Sequence, residues 1–290
     1  MLNNSKIVYE FLLWANCSNN CTFCHQRDIL KHNILTDNEK SKSIKACLDY
    51  IKSENFVKGS HIMICGGELF DNPKDCKKLQ YLFTNIAELV LSNHIDIIYL
   101  NTNLIYKDLS SLIKCLNILN KNNILSHVHF TTSFDLKGRF KSQEALELFD
   151  SNFKYIRSEF LDLNCITNII MTNTTCQAIL NKSFSLKSFS ETYNTYINLI
   201  PYIKRVESLA ATKKDIINTL KEADKQLPGY INAYKTNLQT DYIRYVFEYN
   251  KKEGLIDSTA EYNTCGHCIN FTKVFEDNEC FICELSKYFS

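Results

Sequence analysis

Lys6-Ile7-Val8-Tyr9-Glu10-Phe11-Leu12-Leu13, followed after two residues by Asn16-Cys17-Ser18-Asn19-Asn20-Cys21-Thr22-Phe23-Cys24-His25, sets the frame of this chain. An apolar, strand-like run opens into a loop of three thiols. Outward from that loop, apolar runs and amphipathic stretches take turns. Thr36 and Glu39 form a capping box, and Ile44, Cys47, Leu48 and Ile51 recur at i, i+3, i+4 and i+7, so a helix follows the loop. Residues 61–65 make a second strand that ends in Gly66-Gly67, and Pro73 opens a helical stretch to about residue 92. Strands at 95–100, 127–133, 166–171 and 196–200 then alternate with helices at 109–119, about 143–153 and about 175–189. Parallel strands need crossovers and helices supply them, so six strands in this order predict a parallel α/β sheet, closed as a barrel or open as an arc.

Beyond Pro201 the alternation stops. Thr212 and Asp215 start another helix that runs to about residue 222, and Pro228-Gly229 breaks the chain. Residues 241–249 are rich in aromatics, and their periodicity does not decide between strand and helix. The chain has 290 residues, above the roughly 100–200 of one ordinary domain, so one large domain with an appendage is expected. With 45% hydrophobic residues, 7 Gly and 3 Pro the composition is globular, which excludes a disordered or collagen-like chain. Lys and Arg total 33 against 32 Asp and Glu, a net charge of +1, so no bulk basic footprint points to nucleic acid or an anionic membrane. No run reaches the about 18 apolar residues of a membrane span. Tyr9 and Glu10 interrupt the apolar stretch 7–15, which otherwise has the length of a signal-peptide core, and a soluble cytoplasmic protein is expected.

Thirteen cysteines are many for such a chain, and the odd count rules out a complete set of internal disulfides. Cys17, Cys21 and Cys24 cluster, as do Cys265, Cys268, Cys280 and Cys283, while Cys47, Cys65, Cys76, Cys115, Cys165 and Cys176 are scattered and read as small buried hydrophobes. The first cluster, C-x3-C-x2-C, lies at the carboxyl end of a strand, where parallel α/β folds place functional loops. A structural zinc site wants four ligands, with His25 as a fourth here, whereas three ligands to a four-iron cluster leave one iron open to bind and activate a ligand.

That loop, with Phe23 before its last cysteine, together with Cys65-Gly66-Gly67-Glu68 at the end of the second strand, resembles the radical S-adenosylmethionine (radical SAM) superfamily. The resemblance implies an incomplete (β/α)6 TIM-like barrel in which Cys17, Cys21 and Cys24 hold a 4Fe-4S cluster and S-adenosylmethionine takes the open iron. It implies reductive cleavage of S-adenosylmethionine to methionine and a 5′-deoxyadenosyl radical, with an electron donor such as flavodoxin or ferredoxin. Gly66, Gly67 and Glu68 would receive its amino group, since glycines allow close backbone approach and a carboxylate suits an ammonium, and Phe23 would lie beside the adenine. Thr102 and Asn103 after the third strand, Ser133 and Asp135 after the fourth, and Arg139 as a bidentate carboxylate partner complete the expected cofactor-binding set. Thr172 and Asn173, which close the fifth strand, fit that set less closely, and such polar residues also serve simply as loop ends and helix caps. His127 and His129 share a strand face and read as an interior pair, and Trp14 as core.

The second cluster, C-x2-C-x11-C-x2-C, closes tetrahedrally around zinc as two knuckles. Zinc would stabilise a module too short for its own core, whereas many peptide-modifying radical SAM enzymes carry an auxiliary 4Fe-4S cluster in this position. The longer cysteine array of those extensions is missing here, and both metals stay open. The expected organisation is a core barrel over 1–205, a helical connector over 206–258, and a four-cysteine metal-binding tail over 259–290. A peptide is the first substrate class by analogy with tail-bearing relatives. A nucleoside or other small metabolite is second, and a glycyl-radical activating enzyme is third because Cys24-His25 matches a pair found in that group. The alternative of another class is a non-catalytic zinc-binding or redox-sensing protein.

Overall fold

The computed structural model describes residues 6–19, 21, 22, 24, 34–202, 207–233 and 241–265. Its centre is an eight-stranded sheet built from β1 (Lys6–Leu12), β2 (Ser60–Cys65), β3 (Ile95–Asn101), β4 (Val128–Phe134), β5 (Asn164–Met171), β6 (Tyr196–Pro201), β7 (Asp241–Asn250) and β8 (Gly254–Cys265). The strand order is β6-β5-β4-β3-β2-β1-β7-β8. All neighbours pair in parallel except β7 and β8, which form an antiparallel hairpin. Crossovers run through α1 (Asp37–Ile51), α2 (Cys76–Leu91), α3 (Ser110–Lys121), α4 (Gln143–Glu159), α5 (Asn173–Leu180) and α6 (Leu186–Tyr193), and α7 (Lys213–Gln226) follows β6. Among the described residues no helix is long and apolar enough to cross a membrane.

Local chemistry accounts for most helix ends. The Thr36 and Glu39 side chains cap each other's backbone at the start of α1, and Ser142, Thr172 and Thr212 accept backbone N–H bonds at the starts of α4, α5 and α7. The stretch after Pro73 starts as a 3₁₀ turn, Pro73–Asp75, before α2 begins. Where periodicity predicts one helix over 175–189, the chain forms two. Lys182 adopts a left-handed φ of 64°, the Phe184 N–H donates to the Ala178 carbonyl at 3.0 Å and closes α5, and Ser185 then caps α6.

The two faces of the sheet differ. Phe11, Ile62, Ile64, Ile98, Leu100, Phe130, Ile169 and Leu199 point into a core completed by helix residues such as Ile44, Leu82, Phe83, Leu116, Phe149 and Ile179. The scattered cysteines Cys47, Cys65, Cys76, Cys115, Cys165 and Cys176 are all buried and free, as expected. The register places Glu10, Met63, Tyr99 and His129 in one row of the opposite face, and Ser133, Asn168 and Asn198 in another. Most of these side chains are half-buried and polar, so this face is the accessible one. Of the two histidines expected on one strand face, His127 sits instead in a 3₁₀ turn ahead of β4 and bonds the Asp96 carbonyl through Nδ1, and His129 makes a T-shaped contact with Tyr99.

Between 206 and 258, where a helical connector is expected, helix α7 gives way to β7. Tyr245, Phe247 and Tyr249 alternate along that strand, and Tyr245 stacks on Tyr9 at 5.2 Å while Phe247 stacks on Phe11 at 5.5 Å. On the other face the Arg244 guanidinium forms an ion pair with Glu10 of β1, which is only 4% exposed. Strand β8 then carries the chain to Cys265, so residues 259–265 of the expected tail module extend the sheet. Cys268, Cys280 and Cys283 lie outside the described residues.

Removing one partner of a buried ion pair leaves the other charge uncompensated. Glu10→Ala is therefore expected to lower unfolding stability by about 3 kcal/mol in a urea titration, and a loss below about 1 kcal/mol would mean that this pair does not hold β7 to β1.

Candidate active site at the carboxyl edge of the sheet

The carboxyl ends of β1 and β2 meet in a backbone crossing. The Leu13 N–H donates to the Cys65 carbonyl at 3.0 Å, Gly67 N–H to Trp14 at 2.8 Å, and Glu68 N–H to Asn16 at 2.8 Å. A Cβ on Gly66 would overlap the Trp14 carbonyl oxygen, and one on Gly67 would overlap the Ala15 and Asn16 carbonyl oxygens. Both glycines are thus required by the close approach of the thiol loop itself. Further ties hold that loop. The Ser18 N–H donates to Asp71 Oδ2 at 3.0 Å, and the Thr22 N–H and hydroxyl both donate to the Gly138 carbonyl at 3.0 Å. The Asn19 amide donates to Cys21 Sγ at 3.2 Å.

Three thiols share this neighbourhood. Burial pushes Cys17 up to about 12, with the Glu68, Cys21 and Asp71 charges pushing the same way and a backbone bond from Asn19 opposing them. Burial also raises Cys21, against the pull of Arg139, with Cys24 and Asp135 adding to the rise. Among the described residues no three His, Cys, Asp or Glu side chains are set to hold a single metal ion. Cys17 and Cys21 lie close enough to feel one another's charge, as do Cys21 and Cys24. Phe23 and His25 lie outside the described residues.

Glu68, 3% exposed, turns into the site and accepts from the Asn103 N–H at 2.5 Å, the Thr102 hydroxyl at 3.0 Å and the Phe70 N–H at 3.2 Å. Burial nonetheless raises its carboxyl to about 7, because desolvation of the anion outweighs these bonds. The Thr102 hydroxyl also meets Tyr106 at 3.1 Å, a contact with no signal in the sequence. Arg139, 4% exposed, donates through Nη2 to the Asn103 carbonyl at 2.9 Å. Asp135 Oδ2 accepts from the Lys137 N–H at 3.0 Å and from the Gly138 N–H, and burial raises its carboxyl. Ser133 stands half-buried on the accessible face one strand position before Phe134, and Thr172 caps α5. The structure thus brings Cys17, Cys21, Cys24, Gly66, Gly67, Glu68, Thr102, Asn103, Asp135 and Arg139 to one edge, with Thr172 in a local role.

Among the described residues, three buried polar atoms at this edge find no hydrogen-bond partner: Asn103 Nδ2, Arg139 Nε and Asp135 Oδ1. Each such atom costs about 1–3 kcal/mol when left unpaired. Two of these atoms are donors and one is an acceptor, so together they complement a polar ligand that carries both acceptors and a donor.

No protein-family model matches the chain, and no curated protein matches it. Among solved structures, native anSMEcpe with bound AdoMet aligns over 94% of this chain and 81% of that one, with a TM-score of 0.54 and 14% identity. At that identity the likeness establishes a shared fold.

Gly67→Ala is expected to cost about 2 kcal/mol in thermal or chemical unfolding, because the methyl displaces backbone that cannot rotate away; wild-type stability would show that the loop is free to lift off. A pH series gives a second expectation. The folded Glu68 carboxyl binds its proton more tightly than the unfolded one, at about 7 against 4.5. Its contribution is therefore full below pH 4.5 and is lost as pH rises towards 7, by about 3 kcal/mol. Glu68→Gln should flatten that part of the stability profile, and an unchanged slope would assign it to other groups.

Proposed function

We propose that this protein is a radical SAM enzyme that modifies a substrate hydrogen-bonded on the accessible face of the sheet, with a peptide or protein as the first substrate class. The observation that carries this reading is the docking of the three-thiol loop onto Gly66-Gly67-Glu68 by backbone bonds, at the carboxyl edge of a parallel sheet. The shared fold with an AdoMet-bound structure supports it, and in this reading the sheet is the arc of an incomplete (β/α)6 barrel.

The residues present fit the cofactors. Cys17, Cys21 and Cys24 would hold a 4Fe-4S cluster and must lose their protons to do so, which makes loading favourable at higher pH for thiols held protonated by burial. The unpartnered Arg139 Nε and Asn103 Nδ2 would take the carboxylate of S-adenosylmethionine, Glu68 its ammonium, and Asp135 Oδ1 a ribose hydroxyl. Thr102 and the Asn103 N–H hold Glu68 in its rotamer. Phe23 and Ser133 would complete the nucleoside contact. When bound, the cluster supplies the electron that cleaves S-adenosylmethionine to methionine and a 5′-deoxyadenosyl radical, and the protein orients the radical and keeps water out. Cys265, Cys268, Cys280 and Cys283 would bind zinc or a second 4Fe-4S cluster, a flavodoxin or ferredoxin would deliver the electron, and the enzyme would work in the cytoplasm.

Anaerobic reconstitution with iron and sulfide, followed by dithionite reduction, should give a protein that releases 5′-deoxyadenosine from S-adenosylmethionine. Cys21→Ala should abolish that release while keeping the far-ultraviolet circular dichroism of the wild type. Zinc as the sole metal in anaerobically purified protein, with no nucleoside released after reconstitution, would favour the non-catalytic reading.

A further inference from the structure

Under the backbone crossing lies a buried charge network that the proposed chemistry does not use. Lys40 of α1 is 5% exposed, and its ammonium forms an ion pair with Asp75, 1% exposed, in the 3₁₀ turn after the Gly66-Gly67-Glu68 segment. The same ammonium lies 5.0 Å from the ring centroid of Trp14, within cation–π range. Trp14 is the residue whose carbonyl receives Gly67. One turn further along α1, the Ser43 hydroxyl donates to the Leu13 carbonyl at 2.7 Å. Asp75 also accepts from Asn72 Nδ2 at 3.3 Å and pairs with Lys78 at 3.5 Å, and Lys78 in turn reaches Asp37 at 2.5 Å.

Apolar side chains would fill this position at no desolvation cost, so a buried ammonium here needs a reason beyond packing. Its two contacts supply one. Lys40 touches the segment entering the thiol loop, through Trp14, and the segment leaving Glu68, through Asp75. We infer that Lys40 is a positioning residue, cross-linking the thiol loop to the Glu68 segment so that Cys17, Cys21 and Cys24 keep a set distance from the carboxylate. The inference rests on reading this edge as the cofactor site.

The double variant Lys40→Met with Asp75→Leu removes the pair without stranding a charge, because Lys78 keeps Asp37. Replacing a buried pair by apolar groups is often neutral for stability, so a melting temperature within about 5 °C of wild type is expected. In the metal-free protein, iodoacetamide labelling followed by peptide mass spectrometry should show Cys21 reacting at least tenfold faster, while Cys115 in the core keeps its wild-type rate. In reconstituted protein, the dissociation constant for S-adenosylmethionine should rise at least tenfold. Lys40→Arg, which retains charge and ring stacking, should restore both values. Unchanged Cys21 labelling, or a rise matched by Cys115, overturns the positioning role. If the double variant does not fold, Asp75→Asn is read by the same two measurements. Should wild-type protein fail to bind S-adenosylmethionine, the functional reading falls, and the labelling contrast still decides whether Lys40 restrains the loop.

Discussion

The crossing of two backbones at Gly66 and Gly67 is the constraint on which the rest of the site depends. The thiol loop leaves β1 across the end of β2, and two carbonyl oxygens occupy the space that side chains at 66 and 67 would need. Backbone bonds from Leu13, Gly67 and Glu68 make this contact a short continuation of the β1–β2 ladder beyond the strands themselves. The geometry of the loop is therefore inherited from the sheet. A ladder of parallel strands is rigid, and a functional loop that starts as its continuation begins with little conformational freedom left to lose.

From that contact the electrostatics follow. Once the loop lies flat on the segment that follows β2, the thiols of Cys17 and Cys21, the carboxyls of Glu68 and Asp135 and the guanidinium of Arg139 are all withdrawn from water. Desolvation dominates each of them, raising the acids and lowering the base, so the edge disfavours charge in the isolated chain. Groups in this condition gain most when a ligand brings compensating charge. Clustering of such perturbed groups at the carboxyl ends of parallel strands is what a binding and catalytic edge requires.

The remainder of the fold supports this edge from a distance. Aromatic rings from α4 and α6 pack around Phe134 of β4, with Phe189 at 4.8 Å and Phe149 at 5.7 Å, and so anchor the turn that carries Asp135 and Arg139. At the opposite side, Glu10 and Arg244 bind β7 to β1 just below the thiol loop. Sheet extension by β7 and β8 brings Cys265 to the end of the outer strand, which joins the start of the four-cysteine cluster to the main sheet.

The order of elements was legible in the sequence because it depends on contacts of short range. Periods of 3.6 and 2, capping pairs such as Thr36 with Glu39, and the breaks after β1 and β2 mark helices, strands and loops within a few residues of each other. Thiol spacing and the Gly-Gly-Glu segment likewise pointed to the edge that the fold assembles. Lys182 carries no breaking signal, which is why the division between α5 and α6 did not show, and alternating aromatics over 242–249 needed Tyr9 and Phe11 as neighbours before they became a strand. Glu10 stood out only as an interruption in an apolar run, and its partner lies on a strand more than 230 positions away. What the amino-acid sequence determined by itself was the series of strands and helices and the residue types at their ends. What only the tertiary structure decided was which of those ends become neighbours and which charges lose their water, since both depend on packing between segments far apart in the chain, where local pattern carries no information.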